Sequence, residues 1–125
     1  MILDTNAVSA ILAADPLIDA LLGPSIQHHL PVVVIAEYQY GMLGSRMRRR
    51  LEPGFRKLES QSIVLTCERE TADWYAAIRH ELRLKGRPIP ESDLWIAALA
   101  RQYSLEIVSR DPHFDQVDRV RRISW

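Results

Sequence analysis

The chain starts with an apolar run, Met1-Ile2-Leu3, that gives way at once to Asp4-Thr5-Asn6, and such breaks recur along its length. Short apolar stretches alternate with longer segments whose apolar residues return every three or four positions, the pattern of strands alternating with amphipathic helices. Read this way, Met1–Leu3 is a buried strand and Ala7–Ala14 a helix. Asp15-Pro16 is an N-cap with Pro at the first helical position, leading into Leu17–Leu22 and closed by Gly23-Pro24. Ile26–Leu30 is a strand before Pro31, and Val33 to Leu43 a helix. Another helix covers Pro53–Ser60, after the arginine cluster Arg46, Arg48, Arg49 and Arg50, and Ile63–Leu65 is a strand. Glu68–Lys85 is the longest helix, with acids in its first turn, bases in its last and Gly86 as its stop. Ser92–Gln102 is a further helix, Glu106–Ser109 a strand and Arg122–Ser124 a last edge strand. The alternation predicts an α/β fold with a short, mainly parallel central sheet.

Composition narrows this picture. With 125 residues, 47% of them hydrophobic, the chain suits one domain spanning residues 1–125, and no repeat or linker divides it. No basic leader with an apolar core opens the chain, and no apolar stretch approaches a membrane span, so a soluble cytoplasmic protein is expected. A lone cysteine, Cys67, makes no internal disulfide and is a poor start for a metal site, which fits a reducing compartment. Sixteen basic residues balance sixteen acidic ones, so net charge gives no argument for nucleic-acid binding. All but two of the bases are Arg, whose planar fork suits phosphate, and sequestering a few carboxylates on a cation would leave the remaining surface basic.

Four carboxylates stand out once placed on these elements. Asp4 ends the first strand and Asp111 lies just beyond the Glu106–Ser109 strand, on the edge where open α/β sheets build their sites. Each also has an ordinary reading as a helix cap, Asp111 being followed by Pro112. On a helix, Glu37 shares a face with Val33, Val34, Tyr40 and Gly41, which puts a carboxylate in an apolar stripe. Asp93 repeats the pattern with Ile96, Ala97 and Ala100, although its first-turn position also suits the helix dipole. Snorkelling to the surface is the alternative for both. The sharper reading is convergence of all four on a hard divalent cation, which takes oxygen ligands and relieves their mutual repulsion.

Taken together, Leu3-Asp4-Thr5-Asn6, Ala36-Glu37 with Gly41, Ile89-Pro90 followed by Asp93-Leu94-Trp95-Ile96-Ala97-Ala98, and Ser109-Arg110-Asp111 with Phe114 resemble the PIN-domain ribonucleases, specifically the VapC toxin type. No single motif is specific; their order and spacing are, and they cover nearly the whole chain. The resemblance implies a three-layer α/β/α domain and a metal-dependent endoribonuclease using Mg²⁺, with Mn²⁺ as the alternative. It implies that Asp4, Glu37, Asp93 and Asp111 are both catalytic and metal-ligating, with polar support from Thr5 or Asn6. Ser109 would join them, facing the same side as Asp111 if the strand continues. Asp115 is either an outer contributor or a surface charge. In-line attack by a metal-activated water on an RNA phosphodiester would leave a 5′-phosphate and a 3′-hydroxyl. The resemblance also implies a cognate antitoxin crossing the active site, and a homodimer or a larger toxin-antitoxin complex.

Other features weigh less. His28 and His29 are adjacent in an expected strand and face opposite ways. His113 reads as an exposed loop histidine or a substrate contact. Arg46, Arg48, Arg49, Arg50, Arg56 and Lys57 form a solvated face or an RNA guide. Tyr38, Met42, Leu43 and Met47 fall near helical spacing and read as core, with a partner surface as the alternative. A phosphatase of the haloacid-dehalogenase type wants Asp where Asn6 stands, and a receiver domain wants a strand-end Lys that is absent. A catalytically silent PIN-fold RNA- or protein-binding module remains the main alternative.

Overall fold

The first strand, β1 (Ile2–Leu3), is two residues long, yet both side chains are fully buried because it lies at the centre of the sheet. The computed structural model describes residues 1–125 and adds β2 (His29–Pro31), β3 (Ile63–Leu65), β4 (Ile107–Val108) and β5 (Arg122–Ile123), in the order β3-β2-β1-β4-β5. All pairings are parallel: Ile2 lies opposite His29 and Ile107, Leu30 opposite Val64, and Val108 opposite Ile123. Parallel neighbours need crossovers. These are α1 (Thr5–Leu12) with α2 (Pro16–Leu22), then α3 (Val32–Leu43) with α4 (Arg48–Gln61), then α5 (Arg69–Leu84) with α6 (Glu91–Tyr103). A 3-10 turn, Pro112–Gln116, joins β4 to β5. The helices complete the expected three-layer α/β/α arrangement. The chain runs outward through β1, β2 and β3, then returns to place β4 on the other side of β1. Strand order therefore reverses between β1 and β4, and their carboxyl ends open a crevice there.

Several boundaries differ from those expected, each for a local reason. Helix α1 begins at Thr5 because Asp4 itself is the N-cap, its side chain accepting from Thr5 N at 2.7 Å. Neither Thr5 nor Asn6 caps; both lie in the first turn. Strand β2 ends on Pro31 instead of before it: Pro31 also precedes the first turn of α3, so its missing N–H falls where the ladder stops. Helix α4 starts at Arg48, so the arginine cluster forms its first turn and Pro53 stands inside it. Gly54 follows where α4 crosses α1, and a Cβ there would lie 3.0 Å from Leu12 Cδ2. Phe55 then reaches the core and stacks on Tyr38, ring centroids 4.8 Å apart.

The core joins Leu3, Leu30 and Val108 of the sheet to Phe55, Ile78, Ile96, Leu99 and Phe114 of the surrounding elements. Of the four residues expected at helical spacing, Tyr38 and Met42 pack inward while Leu43 and Met47 are exposed. His29 lies in β2, with His28 just before it. No single helix is long and apolar enough to cross a membrane; α1 and α2 together have the composition but are bent by 112° at their junction.

Candidate functional site

Asp4 leaves β1 at the crevice, and three donors hold it there. Thr5 N approaches Oδ1 at 2.7 Å, while Asn6 Nδ2 (2.8 Å) and Ser109 Oγ (2.6 Å) both approach Oδ2. Ser109, fully buried just after β4, ties the two strand ends together. It does so as a turn and not as a continued strand: its Oγ accepts from Asp111 N at 2.9 Å, which swings Asp111 back toward Asp4. Asn6 completes the junction, donating to Ser109 Oγ at 3.1 Å and accepting from Arg110 N at 3.0 Å.

Asp93 arrives from the first turn of α6 and is 8% exposed. Its Oδ2 lies 3.0 Å from His113 Nδ1, and the same nitrogen is 2.9 Å from Asp111 Oδ1. Asp111 is also the N-cap of the 3-10 turn, accepting from His113 N at 2.9 Å, so cap and cluster are one residue. Asp93, Asp111 and His113 each offer a ligand atom within 4.8 Å of the others. His113 thus belongs to the cluster instead of to an exposed loop; Asp-Pro-His, with its capping turn, was the sequence signal.

For Glu37 the surface alternative holds, not burial in an apolar stripe. It is exposed, because α3 buries Val34, Ile35 and Met42 instead, leaving Tyr40 and Gly41 to solvent. Glu37 stands on the lip of the crevice, where Oε2 accepts from Thr5 Oγ1 at 2.8 Å. Asp115 lies outside the cluster: Arg122 grips both its oxygens, at 2.8 and 2.7 Å, and donates to Ser109 O at 3.1 Å. Arg122 is its one link to the crevice wall.

The four expected acids thus line one open cleft of about 450 Å³, together with Thr5, Asn6, Ser9, Pro90 and Ser92. Crowding changes their protonation. Burial raises the Asp93 carboxyl to about 6, with Asp4 and Asp111 adding to the rise and His113 opposing it. Asp4 is also raised, by burial first, against the pull of the Ser109 and Thr5 hydrogen bonds. Carboxyls whose charged form is disfavoured by burial and like charge form a site with capacity for added positive charge.

Comparison with known proteins fits this geometry. The PIN domain profile matches residues 1–120. Toxin FitB of Neisseria gonorrhoeae is 30% identical over 124 residues, covering 89% of this chain and 87% of that one. Ribonuclease VapC5 of Mycobacterium tuberculosis is 29% identical over 119 residues, covering 94% and 87%. Among solved structures, the DNA-bound VapBC of Salmonella typhimurium superposes with a TM-score of 0.87 at 26% identity, covering 99% of this chain and 96% of that one.

Proposed function

The chain belongs to the PIN domain family, and from that premise we propose that it is a metal-dependent endoribonuclease, the toxin of a toxin-antitoxin pair. The observation that carries this reading is the convergence of Asp4, Asp93 and Asp111 on one cleft at the reversal of strand order, with Glu37 on its lip. A ribonuclease and a toxin among the relatives supply the activity and the biological class.

A divalent cation fits the residues present. Apart from His113 the donors are carboxylate oxygens, the set preferred by Mg²⁺ and Mn²⁺. Asp4, Asp93 and Asp111 would hold the ion, with Glu37 approaching from the lip. Bound there, it supplies charge neutralisation at the phosphate and makes an attacking water more acidic. The chain's own residues set the geometry. Thr5, Asn6 and Ser109 fix both oxygens of Asp4, and the Thr5 hydroxyl steadies Glu37. His113 Nδ1 lies 3.0 Å from Asp93 Oδ2 and 2.9 Å from Asp111 Oδ1 and holds the two carboxyls side by side. The net reaction adds water across the P–O3′ bond, giving a 5′-phosphate and a 3′-hydroxyl.

Carboxylates must ionise to take a cation. Because the Asp93 carboxyl sits at about 6, a cation binding below that pH has to displace its proton, whereas above it the carboxylate is already free. Mn²⁺ affinity is therefore expected to rise about tenfold between roughly pH 5 and pH 7, from one displaced proton. Calorimetric titration reads this directly, and a flat profile would contradict it.

The activity itself is tested by incubating the purified chain with RNA in Mg²⁺, Mn²⁺ or EDTA, beside Asp4→Asn. Cleavage is expected only with the metals and the native Asp4. Metal-independent cleavage sinks the mechanism; RNA or protein binding without turnover in any metal points instead to a catalytically silent module. The same reading carries a cytoplasmic site of action, a cognate antitoxin and a homodimer, the last two read by co-purification and by light scattering.

A further inference from the structure

Beyond Glu37 the acidic cleft continues into a second groove of about 230 Å³, whose walls include Thr5, Ser9, Glu37, Gly41, Ser45 and Leu51. Thr5, Ser9 and Glu37 line both spaces, so they form one trough running from the acids along α3 toward the α3–α4 turn. From Glu37 to its end at Leu43 the helix rises about 9 Å, and Ser45 lies just beyond it.

Gly41 stands on the trough wall, one turn after Glu37. Nothing within the chain asks for glycine there. Its backbone is helical, and an added Cβ would meet no atom within 4 Å. Glycine is the poorest interior helix residue after proline, so its bare backbone suits something that lies in the trough.

At the far end the charge reverses. Arg46 follows Ser45, and Arg49 and Arg50 are in the first turn of α4, all three exposed and without an ion-pair partner. Arg48 and Arg56 of the same region are instead engaged with Glu52, at 3.6 and 4.0 Å. Position 50 lies one turn before Gly54, which packs on Leu12 of α1, so Arg50 is on the α1 side of α4, where Ser9 and Leu51 line the trough. Tyr40, 81% exposed, lies three residues after Glu37 and so on a neighbouring stripe of α3.

We infer that this trough is the path of the single-stranded RNA flanking the cleaved bond. Its backbone crosses bare Gly41, its next phosphates meet Arg46 and Arg50, and a base rests on Tyr40. The assignment rests on the nuclease reading above. An RNA strand suits both ends of the trough, since a phosphate reaches the acids only with a cation and the unpaired arginines directly.

The test uses the full chain, Mn²⁺ and a mixed-sequence single-stranded RNA transcript. Gly41→Leu is expected to melt at or above the native temperature, because leucine is the better helix former. Its kcat/KM is expected to fall about tenfold or more, carried by KM, since binding of the flanking strand is what is blocked. Arg46→Gln with Arg50→Gln is expected to flatten the dependence of log kcat/KM on log salt by about 0.7 per lost phosphate contact. Native KM in Gly41→Leu, or a native salt slope in the arginine variant, overturns the path. Normal cleavage by Gly41→Leu combined with lost inhibition by a co-expressed protein also overturns it, assigning the trough to a polypeptide. If the unaltered chain cleaves no RNA in any metal, the nuclease reading falls and the path falls with it.

Discussion

Asp93→Asn is expected to lower metal-dependent RNA cleavage by about a thousandfold or more, while the metal-free protein melts no lower than the native chain at neutral pH. The two halves of this result have one cause. Burial, with Asp4 and Asp111 nearby, raises the Asp93 carboxyl from 3.8 to about 6. Between those values the folded chain binds more protons than the unfolded one, so this residue's contribution to stability falls as pH rises across the window. At neutral pH the native protein carries an ionised, half-repelled carboxylate there, and the isosteric amide removes that repulsion. The same change removes a charged oxygen from the cation's donor set, so the rise in melting temperature on adding Mn²⁺ should shrink or vanish. Parallel assays of cleavage and of thermal unfolding with and without Mn²⁺ separate the outcomes. Full activity would exclude Asp93 from the chemistry; a large drop in metal-free melting temperature would show that its role is structural.

The largest effect on stability is expected far from the cleft. Arg101 is 6% exposed and donates to Glu81 Oε1 and Oε2 at 3.1 and 2.9 Å, and also to the Asp118 carbonyl. One guanidinium thus pins α6 to α5 and to the turn before β5. Truncation to Ala leaves the Asp118 carbonyl unmatched, opens a gap under the turn and frees Glu81, whose side chain is 35% exposed and can rehydrate. Breaking a buried pair costs about 3–5 kcal/mol, and the exposure of Glu81 points to the lower end. Arg101→Ala is therefore expected to lose about 3 kcal/mol in urea unfolding. Arg101→Met, which keeps the packing volume, should lose less. Equal losses in both variants would mean that charge alone matters, and no loss in either would remove the pin.

Arg101 also marks the limit of what sequence patterning reveals. The alternation of strands and helices was legible because each period is set by the local face an element buries, and the acids at strand ends followed from where parallel sheets open. A buried arginine carries no such signature: its partners come from 20 and 17 residues away, and periodicity does not record them. Glu37 was legible only as two alternatives, buried stripe or surface. Helical spacing put it among apolar neighbours, but α3 is apolar on most sides, and the face it buries is the one carrying Val34, Ile35 and Met42, with Tyr38 stacked on Phe55 of the next helix. Pro53 misled because proline usually opens helices, whereas here α4 runs through it. Asp4 and Asp111 were ambiguous between cap and site, and in the fold each is an N-cap that also lines the cleft, so capping does not remove either from it.

The central place of β1 has a consequence for synthesis. Its partner β4 lies about a hundred residues downstream, so a growing chain carries Asp4 and Glu37 long before Ser109 exists to anchor the first of them. Until β4 has cleared the ribosome, Ile2 and Leu3 lack one neighbour and the crevice has only one wall. The cleft is finished only once the residues through Asp111 have emerged. A prematurely terminated product holding three of the four acids lacks the side of the cleft that Ser109 and Asp111 build.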